Sequence, residues 1–183
     1  SDPKKLIDSI EGGSNDLVGL FAYQYLEIED RSLLRPAIVT DGKHGSLSTF
    51  LLITRRADNV RSIESLRDKN IIVDTGGHGE LPLIWLATQI AAATSPADVA
   101  NFATVTPVQT PVRALLPVYF GKADACIISR GAYIDANSLN AEIQTKLEVY
   151  THSKPLLVSL FGFRRDFDLV AAERITTNAL RSN

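Results

Sequence analysis

The chain has 183 residues, of which 45% are apolar and 22% are charged, and its formal net charge is −2. This length suits one ordinary domain or two small lobes, and the apolar content is enough for a buried core. The near-neutral charge gives no reason to expect nucleic-acid binding. Because the sequence has no long apolar run, we also expect no direct membrane insertion of this segment.

The first third of the chain alternates between helical and extended patterns. Apolar residues recur at helical spacing in some segments, and β-branched residues cluster in others. The predicted elements are a helix, a strand, a helix, a strand, a turn and a long β run, at Lys4–Glu11, Asp16–Leu20, Ala22–Asp30, Arg35–Val39, Asp41–Gly45 and Ser48–Thr54.

The stretch from Ser62 to Pro82 is the most informative part of the sequence. A short helix is predicted after Ser62, its N-cap, and Ile71–Val73 is typical of a strand buried on both faces. The turn Thr75–Gly79 then leads into another helix. Free N–H groups and the positive end of a helix dipole attract anions, so this turn is a candidate anion site. The alternative is that its glycines serve only the turn, since it matches neither a Walker loop nor a dinucleotide fingerprint.

The remainder of the chain continues the alternation of helices and strands. A buried helix and a short helix come first, then a strand, a helix, three strands and a final helix. These elements are predicted at Leu83–Ala93, Ser95–Ala103, Ala103–Val108, Thr110–Phe120, Ala123–Ser129, Leu147–Thr151, Leu156–Phe163 and from Asp166 onward. The order predicts an α/β fold with mostly parallel sheets.

Two long β runs enclose the central segment and predict a division into lobes. We expect the chain to cross between lobes near Thr54–Asn59 and near Leu160–Arg165. Residues 1–55 would then form part of a first lobe, residues 56–158 a second lobe, and residues 159–183 would return to the first.

Four segments carry a resemblance to a known family. They are RRADNVRSIESLRDKNIIV at Arg55–Val73, GKADA at Gly121–Ala125, FRRD at Phe163–Asp166 and IEGGSNDLVG at Ile10–Gly19. In this order and spacing they resemble the type II periplasmic solute-binding proteins, most closely the phosphate/phosphonate-binding branch that serves ABC transporters. The resemblance covers nearly the whole chain.

The resemblance implies a two-lobed α/β fold of mixed, mostly parallel sheets with helices on both faces. It implies a non-enzymatic protein that holds a small anionic or polar solute, phosphonate-like or phosphate-like, between its lobes. The partner would be a transporter permease or a membrane-bound sensor, and the location would be periplasmic or otherwise extracytoplasmic, as a secreted protein or lipoprotein.

Two departures from the family pattern stand out. The usual N-terminal strand has no counterpart before Lys4, so we expect that strand to be lacking in this chain. The family's Ser-Thr-Ser type of loop is replaced by Thr75–Gly79, which has a single hydroxyl group. Backbone donors survive this change and the hydroxyl contacts do not, so the sequence leaves the identity of the ligand open.

The candidate ligand-binding residues come from the glycine-rich turn, from strand ends and from positions that match the family's cleft. His78 either donates to an anion, in which case binding depends on pH, or is an exposed loop histidine. A guanidinium at the end of a strand, at Arg130, suits a phosphate or carboxylate. The candidates are Thr75, Gly76, Gly77, His78, Gly79, Ser129, Arg130, Ser46, Ser48 and Tyr23.

The sequence contains no recognisable catalytic motif, and its three histidines are too scattered to predict a metal site. We therefore expect no enzyme activity, metal or cofactor. The single cysteine, Cys126, is expected to be buried and unreactive because its neighbours are apolar. Two alternatives stay open: a ligand-sensing domain of a membrane-bound signalling protein, and a thiamine-precursor-synthase-like enzyme of the same superfamily.

Overall fold

The computed structural model describes residues 3–39, 43–95, 99 and 101–181. Internal contacts divide the chain into two compact units, Ser1–Ser46 with Leu157–Asn183, and Leu47–Leu156. The helices are α1 Pro3–Glu11, α2 Ala22–Glu27, α3 Leu81–Ala93, α4 Pro111–Tyr119, α5 Arg130–Leu139, α6 Glu142–Lys146 and α7 Leu169–Arg181. The strands are β1 Leu17–Phe21, β2 Leu34–Val39, β3 Leu47–Ser48, β4 Phe50–Arg55, β5 Asn70–Asp74, β6 Thr104–Val108, β7 Ala125–Ser129, β8 Leu147–His152, β9 Leu156–Leu157 and β10 Ser159–Arg164.

The second unit, Leu47–Leu156, is built on a five-stranded sheet in the order β6-β5-β7-β4-β8. Strand β5 runs parallel to β6 and β7, whereas β4 runs antiparallel to β7 and β8. Both faces of this sheet are buried. Phe50 and Leu52 pack with α3 on one face, and Leu51 and Ile53 pack with α4 on the other. Burial on both faces explains why β4 is a continuous apolar run without alternation.

The first unit contains a three-stranded sheet in which β10 lies between β1 and β2 and is antiparallel to both. Its core joins α1 to this sheet through Ile10, Val18, Leu20 and Leu160. The returning segment β10 thus completes a sheet that the first strands of the chain begin.

Most of the predicted elements are confirmed, including the amphipathic helix at α1, the buried strand β5 and the long apolar helix α3. The five-stranded sheet is mixed, as expected. Among the described strands of the two larger sheets, parallel pairing is confined to β5 with β6 and β7, because β4 and β10 run antiparallel to their neighbours.

Several local predictions differ from the structure. The β run Leu156–Phe163 is interrupted between β9 and β10, and helices α5 and α6 were not predicted. Ser62 precedes a 3-10 turn, and its hydroxyl contacts Ser65 Oγ at 3.3 Å instead of capping a backbone N–H. The predicted helix Ser95–Ala103 and turn Asp41–Gly45 lie partly outside the described residues.

The compact units of the structure differ from the expected lobes at the first boundary. Residues 1–55 were assigned to the first lobe, yet β4 pairs along its length with β7 and β8 of the second unit. The division falls at Leu47 and Leu157, near the starts of the two long β runs. Most of each run forms a paired strand of a sheet, β4 or β10, so neither run is a long unpaired connection.

Across the part of the chain that the structure describes, no helix combines the length and the apolar character needed to cross a bilayer.

Candidate functional site

Four strand ends meet at one edge of the second unit's sheet. The parallel strands β5 and β7 end there, at Asp74 and Ser129, while β4 begins there at Phe50, which pairs with Ser129. Ser153, just after β8, fastens the same edge by exchanging hydrogen bonds with Phe50. Ligands of open α/β sheets gather at the carboxyl ends of parallel strands, so this edge is the candidate site.

The turn after β5 is built tightly against β6. Thr75 N–H donates to Val108 O at 2.8 Å, and Gln109 Nε2 donates to Thr75 Oγ1 at 3.0 Å. A Cβ on Gly76 would lie 2.0 Å from Gln109 O, so only glycine fits there. Gly77 instead has open space and a φ of +72°, a conformation that favours glycine.

Within this turn some backbone donors are already used. Gly76 N–H donates to Asp74 Oδ1, and His78 N–H donates to Thr75 O at 3.3 Å. The N–H groups of Gly77 and Gly79 donate to none of the residues that the structure describes. Because the turn itself uses His78 N–H, the backbone donors that the turn Thr75–Gly79 leaves for an anion are those of Gly77 and Gly79.

Asp74 is a buried carboxylate, only 2% exposed, at the end of β5. Burial raises its pKa, and the hydrogen bond from Gly76 N–H and the electrostatic interaction with His78 partly offset that rise. The sequence showed this residue only as a carboxylate at a strand edge. The structure shows that it holds the first residues of the turn in place.

His78 is half-buried between the turn and the start of β4. Its Nδ1 lies 2.9 Å from Gly76 O, and its Nε2 lies 3.3 Å from Ser48 Oγ. The edge of its ring meets Phe50 with the ring centres 5.3 Å apart. Two candidates from distant parts of the sequence, Ser48 and His78, are thus brought into direct contact.

Ser129 and Arg130 lie on the neighbouring strand end. Ser129 Oγ accepts a hydrogen bond from Ala132 N–H and so caps α5, while Arg130 N–H donates to Thr49 O at 2.7 Å. The guanidinium of Arg130 is exposed and has no hydrogen bond or ion pair with the described part of the chain. Thr49 follows Ser48 directly, so His78 and Arg130 both contact the short segment before β4.

Tyr23 and Ser46, the remaining candidates, belong to the first unit. Tyr23 lies in α2 just after β1, and its ring stacks on Phe21 with a centroid separation of 5.7 Å. Ser46 is half-buried on the segment that leads to β3.

Three residues of the site were not singled out from the sequence: Phe50, Gln109 and Ser153. Each acts through a contact with a residue more than 25 positions away, and no local pattern reports such a contact. The polar pair Ser129-Arg130 was found because it directly follows a predicted strand.

Cys126 is completely buried in the sheet, as predicted. Burial raises the pKa of its thiol, and the negative charge of Asp74 raises it further. A thiol in this environment is a poor nucleophile. Among the described residues no group of three or more histidine, cysteine and acidic side chains could hold a metal ion.

Several known structures share the fold of this chain. The structure of XAC2383 from Xanthomonas citri bound to ATP superposes with a TM-score of 0.70 at 15% identity, covering 96% of this chain and 67% of that one. An ancestral arginine-binding protein bound to arginine superposes with a TM-score of 0.55 at 11% identity, covering 100% of this chain and 73% of that one. The periplasmic domain of BvgS from B. pertussis superposes with a TM-score of 0.55 at 18% identity, covering 96% of this chain and 29% of that one. At such identities the likeness establishes the fold, which is that of the type II periplasmic binding proteins.

The family follows from the sequence match. Residues 1–181 match the family described as ABC transporter, phosphonate, periplasmic substrate-binding protein, and the chain belongs to that family. No curated protein matches the chain in sequence. The chain spans about two thirds of the length of the Xanthomonas protein.

Proposed function

We propose that this chain is a non-enzymatic extracytoplasmic solute-binding protein for an ABC-type transporter. Its ligand is a small anion of the phosphonate or phosphate class, bound at the sheet edge formed by β4, β5 and β7, with the permease as its membrane partner. The family match supports the transport role, and the ligand class is our own extension of it.

The observation that carries the proposal is the exposed guanidinium of Arg130 at the carboxyl end of β7. It has no partner in the described part of the chain, and an unpaired guanidinium suits a bidentate oxyanion. The unused N–H groups of Gly77 and Gly79 add uncharged donors at the end of the neighbouring strand. The phosphate groups of the ATP bound to XAC2383 belong to the same chemical class.

A ligand screen tests the proposal. Thermal shift and calorimetry would be measured with inorganic phosphate, methylphosphonate, sulfate and ATP, and with arginine, glutamate and succinate as representatives of other solute classes. We expect saturable binding of a phosphorus oxyanion. Binding of an amino acid alone would show that the ligand class is wrong.

Variants of two exposed arginines distinguish the effect of a positive charge at the candidate site from the effect of the chain's overall charge. Arg130→Ala should weaken oxyanion binding by roughly tenfold to a hundredfold, because a charge-assisted hydrogen bond contributes about 1.5–3 kcal/mol. Arg61→Ala removes the same charge from an exposed position before the amino end of β5, so it is the matched control and should leave affinity unchanged. Neither change should alter stability much, since both side chains are exposed.

A second candidate function is ligand sensing in a signalling protein. The similarity in fold to the periplasmic domain of BvgS favours this alternative. Uptake of radiolabelled ligand in cells with and without the chain distinguishes the two roles. Uptake that depends on the chain supports transport, and unchanged uptake with altered signalling supports a sensor.

A further inference from the structure

The hydrogen bonds of His78 fix which ring nitrogen carries the proton. Gly76 O can only accept, so Nδ1, at 2.9 Å, must donate to it. In the neutral ring Nε2 is then an acceptor, and the hydroxyl of Ser48, at 3.3 Å, must donate to Nε2. The proton of Ser48 is therefore directed at His78, and only its oxygen lone pairs remain for another molecule.

Protonation of His78 reverses this arrangement. An imidazolium donates from both nitrogens, so Nε2–H would donate to Ser48 Oγ while Nδ1–H stays on Gly76 O. The hydroxyl proton of Ser48 is then free to donate elsewhere. A fully ionised oxyanion can only accept hydrogen bonds. With neutral His78 it would face the lone pairs of Ser48 Oγ, which repel it, whereas with protonated His78 it can accept a hydrogen bond from the Ser48 hydroxyl.

The surroundings of His78 carry charges of both signs. Asp74, buried at the end of β5, interacts electrostatically with the ring. Glu80 lies just before α3 and Arg130 at the start of α5, and His152 and Lys154 lie around the end of β8. The ring also meets two uncharged residues, Ser48 of β3 and Phe50 of β4, and the ring centres of Phe50 and Trp85 lie 6.5 Å apart.

We propose that His78 couples anion binding to proton uptake: the pair Ser48–His78 is neutral when the site is empty and becomes a charged donor when an oxyanion binds. This inference rests on the proposed anion-binding function and assigns to these two residues the control of its pH dependence. It also predicts a selectivity. With neutral His78 the pair favours ligands that carry a hydrogen-bond donor, such as a P–OH group, over sulfate.

Nuclear magnetic resonance of the histidine rings tests the proposal on the unmodified chain. In the free chain at pH 8, ¹⁵N shifts should show the Nδ1–H tautomer at His78. With saturating methylphosphonate, phosphate or sulfate, His78 should stay protonated to a pH about one unit higher than without the anion. This shift corresponds to about tenfold tighter binding by the protonated form. His44 and His152 are internal controls: adding the anion should shift their titration midpoints less than that of His78.

Two variants isolate the roles of the pair. His78→Gln cannot titrate, so the pH dependence of its affinity between pH 5 and 8 should be that of the anion alone, and for sulfate nearly flat. Ser48→Ala should leave the titration of His78 responsive to the anion but lower affinity at pH 5.5 several-fold, because the released hydroxyl donor is missing.

The outcomes separate this inference from the proposed function. An Nε2–H tautomer in the free chain, or an anion that binds without moving the titration of His78, would overturn the inference and leave anion binding intact. If none of the three anions binds at any pH from 5 to 8, the proposed function fails and the inference fails with it.

Discussion

Replacing either of two adjacent glycines in the turn after β5 by alanine should destabilise the fold to very different extents, because the surroundings of the new methyl group differ. In Gly76→Ala the new Cβ would lie 2.0 Å from Gln109 O and 2.7 Å from its carbonyl carbon. Because these are backbone atoms, the turn must move away from β6. Overpacking of this kind costs about 1–3 kcal/mol. Loss of the hydrogen bonds from Thr75 N–H to Val108 O and from Gln109 Nε2 to Thr75 Oγ1 adds about 1 kcal/mol each.

The expected destabilisation by Gly76→Ala is therefore about 4 kcal/mol. Gly77→Ala meets no atom within 4 Å, and only its φ of +72° opposes a side chain. That left-handed conformation costs about 1 kcal/mol. The neighbouring variant is thus a control with the same added methyl group.

Urea unfolding followed by tryptophan fluorescence measures both values. Trp85 is the only tryptophan and is buried in the second unit, so its emission reports unfolding of the unit that contains the site. A Gly76→Ala chain that is as stable as the wild type, or more stable than Gly77→Ala, would refute the packing of the turn against β6.

Three further predictions follow from buried or capping groups. Cys126 should react with a thiol reagent only as fast as the second unit opens, and labelling at the rate of a free thiol would contradict its burial. Burial raises the pKa of Asp74 in the folded chain, so its protonation stabilises the fold. Relative to Asp74→Asn, the wild type should gain stability as the pH falls from 7 to 4 and lose it as the pH rises through the raised pKa; denaturation at several pH values checks the sign. Ser129→Ala should lower the free energy of unfolding by about 1 kcal/mol through the lost cap on Ala132 N–H, and an unchanged urea midpoint would count against that cap.

Sequence patterns predicted those parts of the fold that local burial determines. The β-branched run of β5 and the mainly apolar helix α3 were predicted because β5 and one face of α3 lie in the second unit's core. Helix α5 was missed because its polar residues give only a weakly amphipathic pattern after Ser129. The sequence predicted β4 as a strand but not its pairing with β7, since an apolar run does not specify which sheet buries it.

The site was predictable only where its residues are neighbours in the sequence. The turn Thr75–Gly79 and the pair Ser129-Arg130 follow strands, and their positions could be derived from that order. The contact between Ser48 and His78 joins residues thirty positions apart, and its hydrogen-bond polarity depends on the carbonyl of Gly76. Such contacts arise from tertiary packing, so sequence spacing cannot reveal them.

The central claim is that an oxyanion binds at the edge formed by β4, β5 and β7. Titration of the isotopically labelled chain with methylphosphonate, followed by amide and arginine side-chain resonances, tests it most directly. We predict saturable shifts of the Gly77 and Gly79 amides and of the Arg130 guanidinium, with the affinity reduced in Arg130→Ala and retained in Arg61→Ala. Saturable shifts that leave these three groups unmoved, or no shifts at all, would contradict the claim.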